Sequence, residues 1–169
     1  MTASVQIRFE VQELISRYAD AINHNDWQAY RDCWVEDGVF VQVDSLQDTP
    51  GNLEQPLTDR PANLRVEGAD NITELVTGYG KFAWAFQIPT AVLPTLESAD
   101  TARIRHVLQI HTSDMYTIGF CYDKAVLEAD GVWRLSHREY RPSYFERPSH
   151  AGVVTRHLPD EDYLKRPLN

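Results

Sequence analysis

The sequence predicts an α+β domain, with helices in its first half laid on a mostly antiparallel sheet drawn largely from its second half. Three observations carry this. Apolar residues between Ile7 and His24 recur at three- and four-residue spacing, the pattern of a helix with one buried face. From Ala91 to Tyr140 the chain runs through strand-like stretches broken at Ser98-Ala99-Asp100 and at Asp130-Gly131, the composition of hairpin turns. Between the two halves, Asp37-Gly38 is a turn dipeptide that hands the helical part over to a first strand.

Helix one spans about Ile7 to His24, with Val11, Leu14, Ile15, Tyr18, Ala21 and Ile22 on its apolar stripe. Asn25 offers an N-cap for a short second helix, with Gln28 completing a capping-box pattern. That helix carries Trp27, Tyr30 and Trp34 and stops near Asp37-Gly38, where the β-branched stretch Val39 to Val43 reads as a strand. Residues Asp44 to Glu67 hold Pro50-Gly51, Pro56 and Pro61 and read as a long loop. Asp70 caps a third helix whose stripe is Ile72, Leu75, Val76, Tyr79, Phe82, Ala83 and Phe86, weakened at Gly78 and Gly80. Strands follow at Ala91–Leu96, Thr101–Thr112, Met115–Leu127 and Val132–Tyr140. A domain over residues 1–145 and a partly docked tail over 146–169 complete the reading.

With 169 residues, one core of useful size is expected. Sixteen basic against 25 acidic residues give a net charge of −9, which argues against nucleic acid and against anionic membrane surfaces as partners. No apolar run is long enough for a membrane-spanning helix, and Met1 to Glu10 lacks the apolar core of a signal peptide. Cys33 and Cys121 form no CxxC pair, so reduced, buried thiols in a cytoplasmic protein are expected. The six histidines show no HxH, HxxxH or HExxH spacing, and neither a GxGxxG nor a phosphate-loop motif occurs. No metal and no cofactor are expected.

Two stretches carry a family resemblance. The segment from Leu14 to Trp27, running on through Cys33-Trp34-Val35-Glu36-Asp37-Gly38-Val39-Phe40, is answered by Asp130-Gly131-Val132-Trp133-Arg134-Leu135-Ser136-His137-Arg138. Together they resemble the SnoaL-like branch of the nuclear-transport-factor-2-like superfamily. The resemblance implies a cone-shaped α+β barrel: N-terminal helices packed on a strongly curved sheet that encloses an apolar pocket. It also implies a homodimer joined through the outer sheet face. Scaffolds of this kind host both enzymes and binders.

Strand alternation then assigns faces. On Arg103–Thr112 the inner set is Ile104, His106, Leu108, Ile110 and Thr112. On the next strand it is Ile118, Phe120 and Tyr122, and on the last Arg138 and Tyr140. Trp133, Leu135 and His137 fall outside, where Trp133 with Arg105, Gln109 and His111 would form the dimer contact. The expected catalytic groups are Asp26, His106, Tyr18 and Tyr122. Asp26 falls where the resemblance to hexachlorocyclohexane dehydrochlorinase implies a catalytic aspartate; as a helix-start residue it has the more common role of a cap or first-turn carboxylate. His106 is the inward imidazole, suited to acid–base work or to a satisfied core position. Tyr18 and Tyr122 are candidate donors to an oxyanion. Gln87 stands where the dehydrochlorinase and scytalone dehydratase carry a histidine, and glutamine orients a substrate but takes up no proton. The expected substrate-binding set is Trp34, Phe40, Gln42, Phe86, Gln87, Leu108, Ile110, Phe120, Arg138 and Tyr140. Arg138, if inward, requires an anionic partner, for which Asp26, Asp20 or a ligand would serve.

These features lead to a cofactor-independent lyase, isomerase or cyclase acting by proton transfer on a small hydrophobic molecule of polyketide, terpenoid or aromatic type. The alternatives are a non-catalytic hydrophobic-ligand-binding protein and a structural subunit like the β subunit of ring-hydroxylating dioxygenases.

Overall fold

The computed structural model describes residues 3–43, 63–78, 85–112 and 115–146. Helix α1 spans Ala3–His24 and presents Val11, Leu14, Ile15, Tyr18, Ala21 and Ile22 to the core, all buried. A buried Leu or Ile contributes about 1.5–3 kcal/mol relative to its exposed state, so this stripe is what holds the helix on the sheet. Asn25 takes φ +58°, its N–H bonding to Ile22 O (3.1 Å) while Asp26 N–H reaches back to Ala21 O (2.8 Å). This is a Schellman ending, with Asn in the left-handed position.

Asn25 is thereby spent on closing α1, and the cap of the next helix falls to Asp26. Helix α2, Trp27–Arg31, starts with Asp26 Oδ1 accepting from Ala29 N–H at 3.0 Å. The sequence places the cap one residue early and extends α2 too far: Trp34 already belongs to strand β1, Trp34–Val43. Strand β2, Asn63–Glu67, pairs antiparallel with β1, so the end of the expected loop is a strand. Residues 44–62 of that loop lie outside the described residues. Helix α3 is Ala69–Gly78, and strand β3, Ala85–Leu96, has begun before Phe86, which the sequence puts on the third helix. Strands β4 (Thr101–Thr112) and β5 (Tyr116–Leu127) closely match expectation, whereas β6 (Trp133–Glu146) runs past Pro142 into the expected tail. The rest of the tail, 147–169, lies outside the described residues.

The six strands form one open sheet in the order β2-β1-β6-β5-β4-β3, antiparallel except for the parallel pair β1–β6. Register shifts interrupt β1, β3 and the β5–β6 ladder, and such bulges bend and coil a sheet. The helices cover one face and make the fold α+β. At the free rim of β3, side chains of α1 bond the strand's backbone: Arg8 Nη1 to Pro94 O (2.7 Å), Gln12 Nε2 to Val92 O (3.1 Å) and Asn23 Nδ2 to Gln87 O (3.0 Å).

One bulge corrects the expected faces of β6. Lys124 pairs with His137 and Ala125 with Leu135, which leaves Ser136 as an extra residue. The extra residue reverses the alternation, so Trp133 and Leu135 share the inner face with Arg138 and Tyr140. Trp133 is 2% exposed in the core of its own chain and cannot contribute to a dimer contact. No helix among the described residues is long and apolar enough to cross a membrane.

Candidate functional site

Reading the inner face across the strands gives successive rungs. The lowest is Leu96, Ala102, Ala125, Leu135 and Trp34. Next come Pro94, Ile104, Asp123, Arg138 and Phe40, then His106, Cys121, Tyr140 and Gln42. Above them lie Pro89, Leu108, Gly119 and Pro142, and finally Gln87, Ile110 and Thr117. The lower rungs join α1, α2 and α3 in the main core, whereas Leu108, Cys121 and Tyr140 form a second, smaller cluster; Phe40 packs against both.

A charged layer lies between the two clusters. Arg138 Nε donates to Asp123 Oδ1 at 2.9 Å and Nη2 to Oδ2 at 2.6 Å, a bidentate pair, while His106 Nε2 lies 3.0 Å from Asp123 Oδ2 and 3.2 Å from Arg138 Nη2. The other imidazole nitrogen, Nδ1, is 3.4 Å from the strand's own Val107 O. The His106 and Asp123 side chains have no exposed surface. Burial disfavours the Asp123 carboxylate, yet the adjoining guanidinium and the His106 hydrogen bond outweigh it and hold the acid below its usual range. Burial likewise opposes the Arg138 charge, and Asp123 more than restores it. The guanidinium stacks on the Tyr18 ring at 3.9 Å, and its remaining nitrogen, Nη1, is buried without a hydrogen-bond partner. The Tyr18 and Tyr30 hydroxyls meet at 3.4 Å; burial pushes both phenols up, so they remain protonated near neutral pH.

Asp123 is the group that the sequence reading missed. It supplies the anion expected for Arg138 in place of Asp26 or Asp20, and it lies inward because β5 has the opposite phase to that expected. Thr117, Gly119, Cys121, Asp123 and Ala125 face in; Phe120 and Tyr122 face out at 44% and 43% exposure. Tyr122 and Phe120 are therefore removed from the inner site. Phe86, on β3 instead of a helix, is 37% exposed opposite the outward His111. Asp26 is exposed and engaged in capping α2, as its helix-start position allows. Trp34 lies in the main core against Tyr18 and Tyr30, with no place on the upper rungs. His106, Tyr18, Phe40, Gln42, Gln87, Leu108, Ile110, Arg138 and Tyr140 do face inward, with Phe40 on the rung of Arg138, beneath which Tyr18 stacks, and the others on the rungs above.

Two upper-rung residues are held by specific bonds. Thr117 Oγ1 donates to Tyr144 O at 2.8 Å and lies 3.1 Å from the Tyr140 hydroxyl, so the phenol is left to donate to the threonine. The Tyr140 ring lies over Gly119, where a Cβ would fall 2.5 Å from the ring and 2.5 Å from Arg141 O; only glycine leaves that space. On β3, Asn23 brackets the Gln87 peptide, accepting from its N–H at 2.7 Å and donating to its carbonyl at 3.0 Å. The Gln87 side-chain carbonyl Oε1 is buried without a hydrogen-bond partner.

Among the described residues, His106, Cys121 and Asp123 have donor atoms within 4.8 Å of one another, a spacing that suits an ion. The Arg138 charge already occupies the carboxylate, and burial pushes the Cys121 thiol far above its usual range, which withholds the thiolate a metal needs. With these partners the cluster is an ion-pair layer.

A family model described as a SnoaL-like domain matches residues 3–139. Among solved structures, a scytalone dehydratase candidate from Novosphingobium aromaticivorans DSM 12444 is 16% identical over 94% of this chain and 96% of its own, with TM-score 0.68. Hexachlorocyclohexane dehydrochlorinase of type 3 from Novosphingobium barchaimii LL02 is 14% identical over 91% and 98%, with TM-score 0.71. A candidate aromatic ring hydroxylase from Novosphingobium aromaticivorans DSM is 18% identical over 85% and 94%, with TM-score 0.64. At these identities the likeness concerns the fold. No curated protein matches the sequence.

Proposed function

The chain belongs to the SnoaL-like domain family, and from that premise we propose that it binds a small, largely apolar molecule on the upper rungs of its concave face, without a cofactor. The observation that carries this is a shelf of Leu108, Ile110 and the Tyr140 ring, with Phe40 packed against it from the Arg138 rung, backed by an orphaned acceptor, Gln87 Oε1. Apolar walls with a few placed polar atoms are what a small-molecule site requires. Asp26 in solvent and both His106 nitrogens already engaged favour binding over turnover.

Titration with the neutral fluorescent probe N-phenyl-1-naphthylamine tests the site. One saturable equivalent, lost in Leu108→Trp and Ile110→Trp, is expected. A protein that takes up no probe, or whose tryptophan variants bind it unchanged, overturns the proposal.

Proton-transfer catalysis of dehydration, isomerisation or cyclisation is the second reading. It is favoured by the contact between His106 Nε2 and Asp123 Oδ2, because a carboxylate that orients an imidazole is the arrangement of a general base. Arg138 would then steady developing negative charge through Nη1. This reading requires the charged layer to open toward the shelf. Turnover of a bound compound that His106→Gln abolishes without weakening binding would establish it over the first.

For assembly we propose a homodimer through the outer face, with Ile88, Phe120, Tyr122 and Tyr144, each more than 40% exposed, in place of the buried Trp133. Phe120→Glu should convert a dimer to a monomer in sedimentation velocity; a wild-type monomer at micromolar concentration ends this proposal.

A further inference from the structure

We propose that Gln87 is a hydroxyl-recognition group, that Asn23 is the residue positioning it, and that the ligand class is a hydroxyl-bearing apolar molecule rather than an anion or a pure hydrocarbon. This rests on the binding reading above and adds the chemistry of the occupant.

Among the described residues, strand β3 has β4 on one side only. Asn23, at the last turn of α1, meets the Gln87 peptide on its N–H and its carbonyl at once, 2.7 and 3.0 Å. A primary amide that satisfies both groups of one peptide fixes that residue's backbone without a neighbouring strand. With the backbone fixed opposite Ile110, alternation turns the Gln87 side chain to the concave face and Phe86 and Ile88 to the convex one, as their exposures of 37% and 44% confirm.

What the side chain brings there is an acceptor. Gln87 Oε1 has no hydrogen-bond partner and is cut off from solvent at its own surface. An unsatisfied buried carbonyl is a standing cost, and native proteins leave few of them. A ligand O–H removes the cost; a ligand carboxylate or ether oxygen, being an acceptor, does not. The nearest rung mates are Ile110 and, two strands on, Thr117, whose proton is already committed to Tyr144 O. The charged layer lies several rungs below, sealed by its own bonds. An apolar body with a hydroxyl toward Gln87 is the occupant this set of atoms complements.

The test is a matched pair of probes, 1-naphthol and 1-methoxynaphthalene, in the second of which a methyl group replaces the donor proton. The wild type should bind the naphthol tighter by roughly tenfold, the discrimination expected when a buried acceptor is left unmet. Gln87→Leu should abolish the preference while keeping the methyl ether's affinity, and should raise the melting temperature of the ligand-free protein because the orphaned acceptor is gone. Gln87→Glu, read at a pH where it is ionised, keeps an acceptor and should keep the preference. Asn23→Ala should reduce the preference with little change for the ether. Equal binding of both probes by the wild type, or a preference that survives Gln87→Leu, overturns this inference and leaves the pocket standing. A preference unchanged in Asn23→Ala removes Asn23 from it. Binding of neither probe overturns the pocket and this inference together.

Discussion

Replacing Arg138 by methionine keeps the apolar stem and removes the guanidinium, leaving the Asp123 carboxylate, whose side chain has no exposed surface, with only His106 beside it. Two charge-assisted bonds, at 2.9 and 2.6 Å, and the stacking on Tyr18 disappear together. Breaking one side of a buried pair costs about 3–5 kcal/mol, because the survivor is stranded, not because the pair was worth that much. With a urea dependence of about 2 kcal/mol per molar, the unfolding midpoint should drop by roughly 2 M. The pH dependence gives a sharper test. In the wild type Asp123 titrates below the ordinary carboxylate value, so its stabilising contribution is complete above about pH 4 and is lost as pH falls through the folded value. In the variant burial is opposed only by His106 and lifts the acid, so the stranded charge costs most at neutral pH and the cost recedes as the acid protonates. The gap between the two proteins should therefore be wider at pH 7.5 than at pH 5, by urea melts followed with tryptophan fluorescence. Adding Asp123→Leu to Arg138→Met should recover much of the loss. A single-variant loss under about 1 kcal/mol, or a gap indifferent to pH, would refute the reasoning.

Other consequences are quicker to check. Asp26→Ala should cost about 1 kcal/mol through loss of the α2 cap and leave probe binding unchanged; Asp26→Ser, which caps equally well, should restore stability. Cys33 is buried and its thiol is pushed up to about 11, with Cys121 higher still, so neither should react with a disulfide reagent at pH 8 until urea unfolds the chain. Gly119→Ala should destabilise by about 1–3 kcal/mol and displace the Tyr140 ring, visible as weaker naphthylamine-probe binding, since its new methyl has backbone on one side and the ring on the other.

Local patterns made most of the fold legible. The α1 stripe is buried as its spacing predicts, and β4 starts and stops at the residues its composition marks. What escaped was set by partners far along the chain. Phe120 and Tyr122 look inward by apolarity, but the β4–β5 register, closed by the bond from Thr112 N–H to Met115 O, places Cys121 opposite His106. The same phase, carried one rung along, brings Asp123 to Arg138, a pairing that neither strand announces alone. The sequence did hold a signal: Lys124 shares the phase of Phe120 and Tyr122, and an inward lysine is the poorer choice. At the α1–α2 junction the reading turned on a single φ, since an asparagine in the left-handed region cannot also serve as the next cap. The bulge at Ser136, which moved Trp133 from surface to core, has no periodic signature and appears only once the β5–β6 ladder is aligned.

An open sheet has two rims, and each is a template on which foreign strands could zip. Here the β3 rim is occupied by its own helix: Arg8, Gln12 and Asn23 spend side-chain donors on carbonyls that another strand would seek. Pro89 and Pro94 in the same strand bring no N–H to offer, and Ala91, at φ +52°, breaks the straight run between them. The opposite rim, β2, is five residues long. With both of its described rims blunted, the sheet offers foreign strands little to pair with, which works against edge-to-edge growth into fibrils.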